Sequence, residues 1–213
     1  MNSWLDKTNQ RRCTKWSGND AGEIAIYDIG HAFGYYDDGV EPGLISMFPN
    51  REAAAAYICG YVRMTLRGGF LHATSERGEG FTAYQLPGQK IGLRAGAPLM
   101  KALFRNMRLG DMLRAGKAMA RSGAGLHDQM KRAKQPHIFV GMVCVREKYQ
   151  GQGYMRQVMD IAFAEGNRLH VPVILETDAQ SKCDKYVHLG MQLAGKRSLG
   201  AYGALYDLVK EPE

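Results

Sequence analysis

The stretch VREKYQGQGYMRQVMD, residues 145–160, places Gly151 and Gly153 two positions apart, between an apolar run and an amphipathic segment. Glycine loses more backbone entropy on folding than any other residue, so a pair of glycines at such a boundary requires a structural reason. One candidate reason is a flexible turn before a helix. The other is a concave turn whose backbone N–H groups, at the positive end of the following helix, bind a phosphate.

The segments on either side of this turn predict a strand–helix–strand unit. HIFVGMVCV (137–145) and VPVILET (171–177) are apolar, β-branched runs typical of buried strands. That context favours an anion-binding turn, although the third glycine of a dinucleotide-binding motif and the lysine of a Walker loop are both missing. The helix between the strands has one face marked by Val158, Ile161, Ala162 and Leu169, and the turn consists of Gln150, Gly151, Gln152, Gly153, Tyr154 and Met155.

The rest of the chain predicts further helices and short strands. RRCTKW (11–16) predicts a strand, and Asp20 with Glu23 predicts the cap of a helix that has Ile24 and Tyr27 on one face. The pattern predicts a second helix over 51–66, ending at two glycines, then a β-hairpin from 70–76 and 80–86. Near the end of the chain it predicts a short helix over 181–189 and strands over 191–197 and 199–209.

Composition indicates a single domain over residues 1–213. Of the 213 residues, 45% are hydrophobic and 23% are charged, as in soluble globular proteins. The first residues have no apolar stretch behind their charges, and the most apolar window, 53–62, is about half the length that spans a bilayer. We therefore expect a cytoplasmic protein with no stable membrane association. The four cysteines are widely spaced, which predicts ordinary thiols and no metal site.

Residues 90–135 are basic and rich in methionine. Residues 90–134 carry eleven Lys and Arg against Asp111 and Asp128, a net charge of +9 where the whole chain has +7. Glycines divide the segment into about three short helices, which predicts a helical insertion before the strand at 137–145. Its methionines could pack on the core, form a lid over a substrate pocket, or lie at a membrane surface. Phe104 is the only Phe, Tyr or Trp in this segment. Because aromatic side chains do not interleave with its charges, we expect no nucleic-acid partner.

The turn and its surroundings resemble the GNAT superfamily of N-acetyltransferases. QGQGYM (150–155) is similar to the signature that holds the pyrophosphate of acetyl-CoA in that family. LET (175–177), Tyr186 and LGM (189–191) follow in the order and spacing of the family's strand end, helix tyrosine and GF pair. The segment through Phe33 also fits. The likeness is greatest to the puromycin N-acetyltransferase-like small-molecule branch, and it implies an α/β fold with a central, mixed and mostly antiparallel sheet flanked by helices.

The resemblance also implies a reaction and a site. Acetyl-CoA would be the co-substrate, held by the strand–helix–strand unit, and its acetyl group would pass to a small-molecule amine by direct attack in a ternary complex. Tyr186 resembles the general acid, while Glu176 would contact the acceptor amine or relay its proton through water. For the cofactor, the likeness implies main-chain contacts to the pantetheine arm from Val143, Cys144 and Val145, the turn at 150–155, and Lys182 where the family often has asparagine.

Several positions depart from the family pattern. Met155 stands where Gly or Ala is usual, so its side chain either crowds the pyrophosphate or turns outward. Glu147 replaces a proline of the small-molecule branch. Phe139 lies near the position of the base glutamate in histone-acetylating members, which argues against histone-like chemistry. We expect His137 to be a hydrogen-bond partner rather than the base, and Cys144 to fill the core rather than act as a nucleophile.

Two other functions stay open at this point. The chain could acetylate a protein or peptide amine, with the basic segment docking an acidic partner, or it could be a non-catalytic CoA-binding module. A homodimer is also left open. The identity of the acceptor amine depends on the insertion and the first two helices, which carry no recognisable motif.

Overall fold

The computed structural model describes residues 14–15, 20–36 and 39–213. The described chain forms one sheet with helices on both faces. Its strands are β1 (Thr14–Lys15), β2 (Leu71–Ala73), β3 (Gly80–Gln85), β4 (Ile138–Val145), β5 (Val173–Thr177), β6 (Gln192–Ser198) and β7 (Ala204–Lys210). Its helices are α1 (Asp20–Gly34), α2 (Arg51–Gly68), α3 (Leu93–Asn106), α4 (Leu109–Arg121), α5 (Leu126–Arg132), α6 (Tyr154–Leu169) and α7 (Gln180–His188).

The sheet is mixed and mostly antiparallel, as the resemblance implies. The strand order is β1-β2-β3-β4-β5-β7-β6. Among the strands that the structure describes, only β4 and β5 pair in parallel, and α6 connects them. A parallel pair needs such a crossover helix, whereas antiparallel neighbours can be joined by short turns. The predicted strand–helix–strand unit is therefore confirmed, with the glycine turn at its first corner.

Local sequence explains the limits of α2. Its cap is Asn50, whose side-chain oxygen accepts a hydrogen bond from the Ala53 N–H at 2.8 Å. Its end is Gly69, which adopts a left-handed conformation with φ of 72°. Such a conformation is costly for residues with a Cβ, so glycine ends the helix here. The limits predicted from the sequence are confirmed to within two residues.

The face of α1 that the sequence singled out, with Ile24 and Tyr27, is the exposed face of the helix. Ile24 and Tyr27 share a face, but they are 62% and 67% exposed, while Ala25, Ile26 and Ile29 are buried. The burial of the alternative face follows from the packing of α1 against α2. At the start of the chain, the strand predicted over 11–16 is described only at Thr14–Lys15, which pairs with β2. The predicted capping role of Asp20 lies outside the described side chains.

The sheet separates two core layers, and a bulge in β4 lies where this strand passes from one layer to the other. Between β3 and β4 the register shifts, so that Ala83 pairs with Met142 and Tyr84 with Val140, which leaves Gly141 as the extra residue. Before the bulge, Val140 packs with α6 and α7; after it, Met142 packs with α1 and α2. A bulge bends its strand and re-aims the following side chains. Gly141 is where β4 changes its buried face.

The insertion forms three helices, α3 to α5, before β4. Only Met107 of its large apolar residues is buried, whereas Leu93, Phe104, Leu109 and Leu113 are more than 60% exposed. The interpretation that its methionines and leucines mainly pack on the core therefore holds for Met107 alone. Within the part of the chain that the structure describes, no helix combines the length and apolar character needed to cross a membrane.

Candidate functional site

The cleft between β4 and β5 is the centre of the candidate site. Their pairing ends at Val140 and Leu175, although β4 continues to Val145 and β5 to Thr177. The bulge at Gly141 lies at the point of separation. Beyond it the strands diverge and form part of the wall of a cavity of about 650 Å³. This volume lies within the range typical of small-molecule and cofactor sites.

The predicted contacts of β4 lie in this cleft. Val143, Cys144 and Val145 all line the cavity, on the part of β4 that lies beyond its pairing with β5. The Cys144 thiol itself is buried, and burial raises its pKa to about 12, with Asp28 adding to the rise and Arg146 opposing it. A thiol with that pKa stays protonated at neutral pH. The expectation that Cys144 is no nucleophile agrees with this chemistry.

The glycine turn presents a run of unpaired backbone donors. Gly151 and Gly153 have φ of 72° and 79°, in the left-handed region that glycine adopts readily. The following residue, Tyr154, begins α6. Among the described residues, the N–H groups from 151 to 156 find no acceptor in the protein. Such a row of donors at the positive end of a 16-residue helix is suited to an anion.

The side chains of the turn leave this row of donors open. Gln150 and Gln152 donate through Nε2 to the backbone oxygens of Val145 and Lys148, both at 3.1 Å. Met155 is partly buried and packs against the hydrophobic core beneath α6. The expectation about its position relative to a bound pyrophosphate stays a prediction.

Lys182 lines the cavity, but its ammonium already has partners. Nζ lies 2.6 Å from Asp178 Oδ1 and 4.2 Å from the centroid of the Tyr36 ring. The other oxygen of Asp178 accepts a hydrogen bond from the Leu44 N–H. Asp178 thus joins α7 to the segment after α1, and Lys182 is held between a carboxylate and an aromatic ring at the cavity wall.

Tyr186 lies on α7 and is one of the residues that line the cavity. It is 9% exposed, and no group of the described chain bonds its hydroxyl. Burial raises the pKa of Tyr186, and nearby Asp178 and Cys144 raise it further. The phenol therefore stays protonated across the physiological range, and its proton is available to a basic atom in the cavity.

Glu176 lines the same cavity from the end of β5. Its Oε2 lies 2.9 Å from Nη2 of Arg197, and Arg197 Nε lies 2.9 Å from Oδ2 of Asp207, the residue opposite Glu176 in the sheet. Burial raises the pKa of Glu176, although Arg197 opposes the rise. A carboxyl group with a raised pKa is a stronger base than one in water, which suits proton transfer.

His137 belongs to a hydrogen-bonded pair beside the cavity. His137 Nδ1 donates to the Gln135 carbonyl oxygen at 2.8 Å, which leaves Nε2 to accept from His127 Nδ1 at 2.9 Å. The His127 ring stacks on Phe139, a lining residue, at 4.1 Å between centroids. Both nitrogens of His137 are satisfied, so it is a hydrogen-bond partner, as expected from the sequence.

The part of the cavity that faces α1, α2 and the insertion is apolar. α1 and α2 contribute aromatic and aliphatic side chains, and the insertion contributes Leu103 from α3, Met107 from the turn that follows it, and methionines from α4. This composition supports the lid interpretation of the insertion. The apolar residues that line this side include Phe33, Met47, Phe48, Tyr57, Tyr61, Leu103, Met107, Met112 and Met119.

Sequence reasoning missed Arg197, Asp207 and Asp178, which organise the site. Arg197 joins Glu176 to Asp207, and its Nη1 also contacts the insertion at Ser122 and Gly123. No local sequence motif identifies Arg197, because its partners come from β5, β7 and the turn before α5. Asp178 follows the strand end at LET and could have been found there, since polar residues at strand ends often form sites.

Solved structures of acetyltransferases have a similar fold. No family model and no curated protein matches the sequence. A Corynebacterium glutamicum protein described as "histone acetyltransferase HPA2 and related acetyltransferase" matches with a TM-score of 0.56 at 15% identity, over 92% of this chain and 94% of that one. The chain has the GNAT fold. This agrees with the fold that the sequence resemblance implies.

Two further structures with this fold are similar over nearly the whole chain. Arylalkylamine N-acetyltransferase 2 from Aedes aegypti gives a TM-score of 0.52 at 9% identity, over 92% of this chain and 97% of its own. An N-acetyltransferase from Staphylococcus aureus gives 0.51 at 13% identity, over 94% and 98%. All three structures are 15% identical to this chain or less, so the likeness concerns the fold.

Proposed function

We propose that the protein is an N-acetyltransferase that transfers an acetyl group from acetyl-CoA to a small-molecule amine with an apolar body. The observation that carries this proposal is the row of unpartnered N–H groups from 151 to 156, which opens beside the cleft between β4 and β5. A diphosphate bound there would direct a pantetheine arm along Val143–Val145 toward Tyr186. The GNAT fold of the chain supports the same assignment.

The reaction would proceed by direct attack of the amine on the thioester carbonyl. The nitrogen forms a bond to the acetyl carbon, giving a tetrahedral oxyanion, and the C–S bond then breaks. Tyr186 would give its proton to the departing sulfur. The attacking nitrogen, which becomes positively charged as its bond to carbon forms, would lose a proton to Glu176, directly or through one water, so that a neutral amide results. The raised pKa of Glu176 and the protonated phenol of Tyr186 suit these two roles.

The character of the acceptor follows from the apolar side of the cavity. Aromatic rings and methionines surround that space, and its charged groups are already paired, Glu176 with Arg197 and Asp178 with Lys182. A polar acceptor would lose hydration there without gaining partners. An amine on an aromatic or aliphatic body would bury its apolar surface, at about 25 cal/mol per Å².

A thiol-release assay with acetyl-CoA and a panel of amines tests the proposal. We expect release of CoA with 2-phenylethylamine and little release with spermidine or a lysine-containing peptide. Release with the peptide alone would favour the alternative of a protein or peptide acceptor. CoA binding without release for any amine would favour a non-catalytic CoA-binding module.

A further inference from the structure

A second cavity, the helix cleft, lies between α1, α2 and α3. It has a volume of about 770 Å³ and shares no lining residue with the cavity between β4 and β5. α2 and α3 each contribute residues to both cavities, so the two cavities lie on different faces of the same helices. Nothing in the proposed acetyl transfer uses it.

Glycine contacts bring the three helices together at this cleft. A Cβ at Gly60 of α2 would lie 2.8 Å from the Ala102 Cβ of α3 and 3.0 Å from the Pro98 carbonyl oxygen. A Cβ at Gly30 of α1 would lie 2.9 Å from the Ala55 carbonyl oxygen of α2. Side chains one or two turns further along these helices therefore lie close together.

Four of the side chains brought together are cationic. Arg63 and Arg67 of α2 and Lys101 and Arg105 of α3 line the cleft, against a single acidic lining residue, Glu52. Arg63 has an ion pair with Glu23, at 2.5 Å. Across the described residues, no salt bridge involves the other three cations. Like charges in one cleft repel, and an anion bound there would relieve that repulsion.

The opposite wall of the cleft is a row of rings on α1. Tyr27, His31 and Tyr35 are spaced one turn apart, with 6.2 Å between the centroids of the first pair and 4.3 Å between those of the second. The second pair is stacked, with an interplanar angle of 15°. Tyr27 is 67% exposed, so the row presents aromatic surface to the cleft and to solvent.

We infer that the helix cleft binds a phosphorylated small molecule that carries an aromatic ring, of the nucleotide class. The guanidinium groups match phosphate oxygens in pairs, and the rings of α1 offer a surface on which a base can stack. The cavity volume fits one such molecule. This inference does not depend on the acetyl-transfer proposal, because the two cavities have separate linings.

Calorimetric titration with ATP tests the inference on protein that has first been saturated with 4′-phosphopantetheine, which offers a phosphate to the glycine turn but has no aromatic ring. We expect one ATP per chain. The double variant Lys101→Ala/Arg105→Ala should weaken ATP binding about tenfold or more, since it removes two charge-assisted contacts. Pyrophosphate and citrate, which have charge but no ring, should bind more weakly than ATP.

The matched control is Lys117→Ala/Arg121→Ala on α4, which removes the same charge from outside the cleft. We expect it to keep ATP affinity within about twofold of the parent, with both double variants melting at temperatures close to the parent's. Absence of ATP binding to the parent would overturn the inference. Equal losses in the two double variants, or equal affinity for pyrophosphate and ATP, would overturn it as well.

Discussion

Glu176 and Arg197 form an ion pair at the cavity wall, with 2.9 Å between Oε2 and Nη2. The same guanidinium binds Asp207 and the turn of the insertion before α5. Arg197 therefore holds Glu176 in place and connects the insertion to the sheet. A carboxylate fixed in this way can receive a proton at a constant position, which is what the proposed reaction requires.

The Glu176→Gln variant tests the role of this carboxylate as base. Gln keeps the shape of the side chain but cannot accept the ammonium proton, so we expect kcat to fall by about 10²–10⁴ while CoA affinity is unchanged. In the parent, the rate should rise as pH rises through the pKa of Glu176, which burial places above its usual value. Steady-state rates between pH 4 and 9 check this. A variant with the parent's rate and pH profile would remove Glu176 from the mechanism.

The same pKa shift determines how Glu176 affects stability. The folded state holds this proton more tightly than the unfolded chain does, because burial raises the pKa. Its contribution to stability is therefore greatest below the ordinary pKa of glutamate and is lost as pH rises through the raised value. Glu176→Gln should then leave the free energy of unfolding at pH 7 unchanged or higher. Thermal melting of the variant and the parent measures the difference.

Gly125→Ala should displace the Glu176–Arg197 pair. A Cβ at Gly125 would overlap Glu176 Oε1 and would lie 2.6 Å from Arg197 Nη2. We expect a loss of about 1–3 kcal/mol in stability from overpacking, together with a lower kcat. Gly116→Ala on α4 is the control, since nothing lies within 4 Å of its added Cβ. Parent-like turnover and melting in Gly125→Ala would show that the pair tolerates displacement.

The methionines of α4 should affect the binding of the acceptor amine and not the binding of the CoA donor. Met112 and Met119 line the apolar side of the cavity, whereas Leu113 is 64% exposed on another face of the same helix. Met112→Asp should raise KM for an apolar amine about tenfold or more, because it puts an unpaired charge in that space. CoA affinity should stay unchanged, and Leu113→Asp should alter neither quantity. A lowered CoA affinity in Met112→Asp would contradict the lid assignment.

Tyr186→Phe tests the proton donor. Phe keeps the ring and its packing, so the free energy of unfolding should change by about 1 kcal/mol or less. We expect kcat to fall by about 10²–10⁴ with little change in CoA affinity. A thioester with a more acidic thiol should recover part of the rate, because its thiolate needs the proton less. If single-turnover rates for the variant equal those of the parent, Tyr186 is a packing residue.

The order of elements could be predicted because each carries a local signal. The Asn50 cap, the Gly69 end and the β-branched run at 138–145 depend on interactions within a few residues. The face of α1 could not be predicted in this way. Ile24 and Tyr27 look like core residues by spacing, but close contact of Gly30 with α2 turns the other face inward.

The candidate site was predictable where its parts are contiguous in sequence. The glycine turn and the β4 segment at 143–145 lie together at one cleft, as the resemblance implies. Arg197, Asp207 and Tyr61 could not be found in the sequence, because their roles arise from strand register and packing. Tyr61 illustrates this, since its hydroxyl occupies the space that a Cβ at Gly141 would need.

The central claim is that the amides of residues 151–156 hold the diphosphate of CoA. The most direct test is calorimetric titration of CoA into the parent, Gly153→Val and the control Gly88→Val. Gly88 has φ of 77° against 79° for Gly153, and nothing lies within 4 Å of an added Cβ at either, so both variants strain the backbone alike. We expect CoA affinity to fall by about tenfold or more in Gly153→Val alone, since only that turn presents donors to the anion. Equal CoA affinity in all three folded proteins would contradict the account.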